Sequence, residues 1–295
     1  MARDVKTVGD LIRRIARRFA RARLHYGHGT DNANDEAAWL VLSALGIGFG
    51  EAGERMGEPV AKADRARVEA LADRRIRERM PVAYLLNEAW FAGLRFYVDQ
   101  RVLVPRSPIA ELIGERFAPW LAEEGVRSIL DIGTGSGCIA IACALAFPEA
   151  RVVGVDDSGD ALEVARMNVA QHAVEDRVEL VQGDLYAGVA GRTFDLIVTN
   201  PPYVPRAEYE ALPPEYGHEP RAGLEAGADG LDVMRLILAG ARRHLSPSGV
   251  LVGEVGSAAP ALEAAFPDLP FTWLDFERGG EGVFLISAQD LPCVA

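Results

Sequence analysis

Ser128-Ile129-Leu130-Asp131-Ile132-Gly133-Thr134-Gly135-Ser136-Gly137, followed by an apolar run over 138–147, is the stretch that decides the fold. Residues 128–130 read as a strand that enters a turn holding three glycines, and the apolar run reads as a helix. Glycines at such a turn let the backbone pass close beneath a ligand, and the start of the helix presents free amide N–H groups. Asp131, Gly133, Thr134, Gly135, Ser136 and Gly137 are therefore candidate cofactor-loop residues. The spacing is G-x-G-x-G, with Cys138 where a dinucleotide fingerprint wants its third glycine, which disfavours a nicotinamide cofactor. Asp156 lies 19 residues past Gly137, at the end of the next strand, where a carboxylate can accept both ribose hydroxyls of a nucleoside.

Outward from this turn the pattern alternates. Segments 128–131, 151–155, 178–181, 194–199 and 250–254 read as strands, with helical periodicity between most of them. This predicts an α/β fold built on a doubly wound, mostly parallel sheet. Segments 271–276 and 283–286, flanking Arg278-Gly279-Gly280, predict an antiparallel pair that completes seven strands. In front, Leu11, Ile12, Ile15 and Phe19 recur at helical spacing among Arg13, Arg14, Arg17, Arg18 and Arg21. A second helix is expected to be capped within 30–34 and to carry Trp39, Leu40 and Leu42; a third, over 63–80, faces inward with Val68, Leu71 and Ile76. Phe91, Phe96, Val98, Val102 and Val104 around Gly93 and Asp99-Gln100 predict a hairpin. The expected division is an N-terminal helical domain over 1–85, a β-hairpin linker over 86–105 and the cofactor-binding domain over 106–295.

Composition narrows the function. The chain has 295 residues, 49% hydrophobic and 25% charged, with a mean hydropathy of +0.05, and no apolar run approaches the roughly 18 residues of a membrane span. Disorder, collagen and membrane channels are excluded. A net charge of −12 and a pI near 5.0 make a poor field for gripping long nucleic acid and favour a neutral or basic partner. Cys138, Cys143 and Cys293 cannot form a disulfide framework, and 8–24, interrupted by arginines, is no secretory signal, so a reducing cytoplasm is expected. A monomer is the expectation, with the oligomeric state left open.

Asn200-Pro201-Pro202-Tyr203 closes the fourth strand and carries the chemistry. Two prolines in succession have no amide donors, so their neighbourhood offers acceptors. The Asn200 side-chain oxygen and the Pro201 carbonyl can take the two hydrogens of a planar NH2 group, with Tyr203 packed on its face. Such a nitrogen, its lone pair delocalised into a carbonyl or ring, is a weak nucleophile. Holding both hydrogens aims it at an electrophilic methyl and favours the pyramidal transition state. Asp184, in Gln182-Gly183-Asp184-Leu185 after the third strand, can accept an adenine amine, or can simply make a turn.

This ordered set resembles the class I S-adenosylmethionine-dependent methyltransferases, whose fold is Rossmann-like. Asn200 to Tyr203 resembles their amino-methylating branch, which covers adenine, cytosine and glutamine side-chain amides. Phe91-Ala92-Gly93-Leu94-Arg95-Phe96 before Val102-Leu103-Val104-Pro105-Arg106, with Glu219-Pro220-Arg221 before Asp229-Gly230-Leu231, is similar to the protein glutamine methyltransferases that act on Gly-Gly-Gln sequences. Pro105-Arg106-Ser107-Pro108-Ile109 departs from the release-factor pattern. It resembles the group that methylates a large-subunit ribosomal protein, as do Tyr26-Gly27-His28-Gly29-Thr30-Asp31-Asn32 and Asn87-Glu88-Ala89-Trp90-Phe91.

The resemblance implies S-adenosylmethionine as methyl donor and S-adenosylhomocysteine as product. It implies Gly133, Gly135 and Gly137 at the methionine side, Asp156 at the ribose, Asp184 and Leu185 beside the adenine, and Asn200 to Tyr203 around the glutamine. It implies a protein substrate, and residues 1–85, which precede a self-sufficient catalytic fold and depart from it in charge, are expected to choose it. A release-factor glutamine methyltransferase, a nucleic-acid adenine or cytosine methyltransferase and a non-enzymatic ribosome-assembly binder stay open. Residues 1–24 carry eight bases and two acids, either a solvated face on a packed helix or a contact with ribosomal RNA. His25 and His28 lack the neighbours of a zinc site, His172, His218 and His244 are scattered, and Trp39, Trp90, Trp120 and Trp273 read as core or hairpin anchors. Glu219 and Arg221 form either a plain loop ion pair or part of a closing substrate cleft.

Overall fold

The computed structural model describes residues 6–122, 125–277 and 279–292; Arg278 and Cys293 lie outside the described residues. By contact the chain divides into two units, Met1–Ala89 with Pro213–His218, and Trp90–Leu212 with Glu219–Ala295.

The first unit is helical. α1 (Val8–Ala22) starts in a capping box, with the Thr7 hydroxyl accepting from the Asp10 amide and the Asp10 carboxylate accepting from the Thr7 amide. It buries Val8, Leu11, Ile15 and Phe19. α2 (Ala33–Leu45) is capped by Asn32, whose side-chain oxygen accepts from the amides of Asn34 and Asp35, inside the expected capping run. α3 (Ala52–Arg55), α4 (Lys62–Glu78) and α5 (Val82–Leu86) follow. α4 departs from expectation, because its buried residues are Val68, Ala72 and Arg75, while Leu71 and Ile76 are half-buried. Arg75 can be buried because its donors are met: Nε donates to Glu36 (3.0 Å), Nη1 to Glu215 (3.3 Å) and Nη2 to the His25 carbonyl (2.7 Å). The basic face of α1 is not wholly solvated either, since Arg14 pairs with Glu69 and Arg18 with Asp73 on α4.

The second unit opens with a hairpin, β1 (Ala89–Phe91) and β2 (Leu94–Phe96), turned by Ala92 and Gly93 at φ 49° and 76°. The hairpin is shorter than expected: Val98, Val102 and Val104 are buried in irregular chain. Then come α6 (Ile109–Gly114), β3 (Ser128–Ile132), α7 (Cys138–Ala146), β4 (Arg151–Asp156), α8 (Gly159–Gln171), β5 (Val178–Gln182), β6 (Phe194–Thr199), α9 (Arg206–Tyr209), α10 (Asp232–His244), β7 (Leu245–Glu254), α11 (Ala259–Ala265), β8 (Thr272–Leu274) and β9 (Val283–Ser287). The sheet order is β5-β4-β3-β6-β7-β9-β8, with β3 to β7 paired in parallel and β9 antiparallel to both neighbours. The seven-stranded, doubly wound fold is the one expected.

Successive side chains of a strand point to opposite faces, and both faces are covered. Ile129, Val152, Leu196 and Val252 join one core with Ile139, Cys143 and Phe117; Leu130, Val153, Ile197 and Leu251 join the other with Met234, Leu238 and Leu262. Trp39 is buried as expected, whereas Trp90, on the hairpin strand β1, and Trp120 are each 44% exposed. No helix among the described residues is long and apolar enough to cross a membrane.

Candidate active site

β3 lies between β4 and β6, so the chain winds outward in both directions from it, and the crevice beyond its carboxyl end is where an open α/β sheet holds a ligand. Register makes this concrete: Ile132 pairs with Val155 and with Thr199, so the glycine turn, Asp156 and Asn200 leave the sheet at one level. The turn is tied to β4 by Gly133 and Thr134 amides donating to the Val155 carbonyl (2.9 and 3.0 Å). Gly135, at φ 54°, donates its amide to Asp156 Oδ2 (2.8 Å), and Ser158 donates its amide to Oδ1 (3.0 Å). Gly137 caps α7 at φ 79°, and a Cβ there would meet Ala165 Cβ and Ile141 Cδ1 at 3.3 Å. A side chain would therefore oppose both the turn and the packing of α8.

A cavity of about 230 Å³ sits in this crevice. Gly133, Thr134, Gly135, Ser136, Asp156, Asn200, Pro201, Pro202 and Tyr203 line it, with residues 101–107 and Pro220 and Ala222 to Leu224 on the remaining sides. Asp131 is not in the lining. It lies fully buried beneath the turn, where its Oδ2 accepts from the Thr134 hydroxyl (2.6 Å) and the Ala140 amide (3.0 Å), and burial pushes its carboxyl up to about 7. Gly137 also stands behind the lining. Asp184 and Leu185 follow β5, the neighbour of β4, but neither lines the cavity; Leu185, at φ 50°, packs on the core.

The residues fit a nucleoside-bearing methyl donor. Each Asp156 oxygen accepts a single backbone bond here and retains a lone pair for a ribose hydroxyl. The backbone of the glycine turn, free of side chains at Gly133 and Gly135, faces the same space.

Glu254, Ser107 and Arg106, which composition and spacing left without a role, are tied into the site. Glu254, the last residue of β7, is buried and accepts from the Tyr203 hydroxyl (3.1 Å) and the Ser107 hydroxyl (2.5 Å). Burial raises its carboxyl to about 7, against the opposing pull of those bonds and of Arg106. Arg106 grips Glu219 through both terminal nitrogens. Glu219 does not pair with Arg221, because Arg221 is engaged with Glu225 (2.5 Å) and lies over the Tyr209 ring. His25 and His28 pack on the Tyr216 ring, with centroids 5.5 and 4.6 Å away, and the described residues contain no cluster of three metal-ligating side chains.

A doubly wound sheet with one reversed strand, β9, and a glycine turn and an Asn-Pro-Pro-Tyr turn lining one crevice define a Rossmann-like methyltransferase. Comparison with known proteins agrees: residues 115–212 match the methyltransferase small domain and residues 11–86 the PrmC N-terminal domain. The chain is 49% identical over 289 residues to the ribosomal protein uL3 glutamine methyltransferase of Bordetella pertussis, covering 98% of this chain and 97% of that one. It is 46% identical over 291 residues to the protein of that name from Neisseria meningitidis serogroup B, covering 98% and 96%. The chain belongs to this family of protein glutamine methyltransferases. Among solved structures, the hMettl16 catalytic domain in complex with MAT2A 3'UTR hairpin 1 aligns with a TM-score of 0.51 at 13% identity, over 84% of this chain and 91% of that one, a likeness of fold.

Proposed function

We propose that the protein transfers a methyl group from S-adenosylmethionine to the side-chain amide nitrogen of a glutamine in the large-subunit ribosomal protein uL3. The observation that carries the reading is the cavity in which Asn200 to Tyr203 face the glycine turn and Asp156, in a chain nearly half identical, end to end, to curated enzymes of that name. S-adenosylmethionine supplies an electrophilic methyl. Gly133 to Ser136 hold its methionine end, and the Asp156 carboxylate accepts its ribose hydroxyls. Asp184 and Leu185 are proposed as adenine neighbours on their position after β5, beside Asp156. Asn200 Oδ1 and the Pro201 carbonyl take the two amide hydrogens, Pro202 stiffens the turn, and Tyr203 packs on the flat amide. As the methyl approaches, positive charge grows on nitrogen and both hydrogen bonds strengthen, so the turn favours the transition state over the ground state. The S–CH3 bond breaks as the N–CH3 bond forms, S-adenosylhomocysteine leaves as a neutral thioether, and the methylated nitrogen, strongly acidic while cationic, releases one proton to water, so no strong base is needed. The helical segment 1–85 is proposed to choose the protein substrate in the cytoplasm, with Arg17 and Arg21, both exposed, available to ribosomal RNA.

The test is methyl transfer from tritiated S-adenosylmethionine to purified uL3, a release factor, DNA and RNA, followed by mass spectrometry of the labelled product. The expected result is one methylated glutamine in uL3. Label in the release factor would reassign the substrate, and label in nucleic acid would overturn the reading.

A further inference from the structure

We propose that Glu254 is a positioning residue for methyl transfer: it takes the hydroxyl hydrogens of Tyr203 and Ser107, so that both side chains present oxygen lone pairs and not O–H donors to the acceptor pocket. The proposal rests on the reading of Asn200 to Tyr203 as the turn that holds the amide.

Geometry carries it. Glu254 is 4% exposed and stands behind the cavity, whereas Tyr203 and Ser107 both line it. Its two oxygens divide the work, Oε1 accepting from Tyr203 and Oε2 from Ser107. The two hydroxyls come from separate elements, the turn after β6 and the segment before α6, and a residue on β7 joins them. Ser107 is fixed from a second side, since its oxygen accepts the Ile109 amide (3.1 Å). The Tyr203 ring lies so close to Gly256 that a Cβ there would stand 2.7 Å from its Cε2. Arg106, itself clamped by Glu219, is the charged group acting on Glu254, and β9 opposes it with Val283.

The chemistry follows from counting hydrogens. An ionised carboxylate only accepts, so both hydroxyl hydrogens turn toward it. A protonated Glu254 must donate one hydrogen, which turns one hydroxyl away from it and leaves an O–H donor in the pocket, where it competes with the amide hydrogens for Asn200 Oδ1 and the Pro201 carbonyl. Because the carboxyl is raised to about 7, this exchange falls near neutrality.

The experiment measures kcat and KM for the glutamine substrate from about pH 5 to 9 in the parent, Glu254→Gln, Tyr203→Phe, Ser107→Ala and the double variant Glu254→Gln with Tyr203→Phe, with S-adenosylmethionine affinity by calorimetry as the check on folding. The parent kcat is expected to rise with pH through a midpoint near 7. Glu254→Gln is expected to lose that rise and about tenfold in kcat, with a smaller change in KM. The double variant is expected to lose no more than its worse single. Tyr203→Phe and Ser107→Ala each remove a bond that favours the carboxylate, so each moves the midpoint upward, a readout that stands if Glu254→Gln does not fold. A folded Glu254→Gln with the parental kcat and pH profile, multiplied losses in the double variant, or an unmoved midpoint in both hydroxyl variants overturns the proposal. A parent that methylates no glutamine sinks the reading beneath it and the proposal together.

Discussion

Arg106 and Glu219, 113 residues apart in the chain, meet as a fork on a carboxylate, Nη1 to Oε1 at 2.6 Å and Nη2 to Oε2 at 2.7 Å. The Val104 amide adds a third bond to the same carboxylate at 3.0 Å. The pair thus ties the lining segment 101–107 to the residue just before Pro220, where the chain rejoins the cavity lining. Removing one partner of a buried pair costs roughly 3–5 kcal/mol, and because the Arg106 side chain is 26% exposed, Arg106→Ala is expected to cost less, about 2–3 kcal/mol. Arg106→Lys should recover little, since an ammonium cannot reproduce the fork. Urea unfolding midpoints of the two variants check this; an Arg106→Lys protein as stable as the parent would reduce the pair to a point-charge contact.

What the chain discloses before folding, and what it withholds, has a physical division. Parallel strands covered on both faces are written as continuous apolar runs, so 128–132 and 194–199 were legible, as was a glycine turn that needs three residues at positive φ. Contacts that exist only once the strands are ordered left no local mark. In the sequence Glu254 ends a strand, Ser107 is one residue of a segment known only by its resemblance, and Glu219 has Arg221 as its nearest basic neighbour. Arg75 sat in a helix rich in charge, and nothing in its spacing distinguished it from the solvated arginines beside it.

Asp156 has two duties, which sharpens the expectation for its removal. Its oxygens fix the amides of Gly135 and Ser158, and the cavity side is proposed to receive a ribose. Asp156→Ala should weaken S-adenosylmethionine by roughly 1.5–3 kcal/mol, about tenfold to a hundredfold, since a charge-assisted contact is lost and the turn is unpinned. Titration calorimetry reads this directly. Unchanged affinity in a folded variant would take Asp156 out of the site.

Two buried carboxyls give the fold a pH dependence of definite sign. Asp131 and Glu254 are raised by burial to about 7, above the ordinary carboxylate range. Between about pH 4 and 7 the folded protein keeps protons that the unfolded chain has released, so the stability attached to these groups is complete below that window and is lost as pH rises through 7. Asp131→Asn, which keeps an oxygen for the Thr134 and Ala140 bonds, should flatten the fall in stability over this range. Thermal midpoints from about pH 4 to 8 test it; an identical slope in the variant would mean that Asp131 is already ionised in the fold.

In the helical unit the expectation concerns a cation. Arg75 satisfies Glu36 and Glu215, each buried, and burial already pushes the Glu36 carboxyl upward against the pull of Arg75. Arg75→Ala leaves the buried Glu36 without its cation and Glu215 with Arg79 alone, and should cost about 3–5 kcal/mol. Arg75→Ala combined with Glu36→Ala should cost less than the sum of the two single changes, because the second removes a charge that the first exposed. Chemical denaturation of the three variants decides, and strict additivity would show that the guanidinium and the Glu36 carboxylate act independently.

Asn200 carries the last expectation. It follows β6 at the level of the glycine turn and lines the cavity, and its side-chain oxygen is assigned to one N–H of the substrate amide. That bond strengthens as positive charge develops on nitrogen, so its loss should appear in turnover more than in substrate affinity. Removing one preorganised hydrogen bond of this kind costs about 2.7–4 kcal/mol, so Asn200→Ala should fall roughly a hundredfold to a thousandfold in kcat. Cofactor affinity should change far less. Asn200→Asp is the harsher test, because a carboxylate still accepts hydrogen bonds but sets a negative charge beside the sulfonium of the donor, which holds the ground state more firmly than the transition state. Single-turnover methyl transfer on folded, donor-saturated enzyme separates the effects. If both variants transfer at the parental rate, the amide is held elsewhere in the cavity and the acceptor role of this turn is wrong.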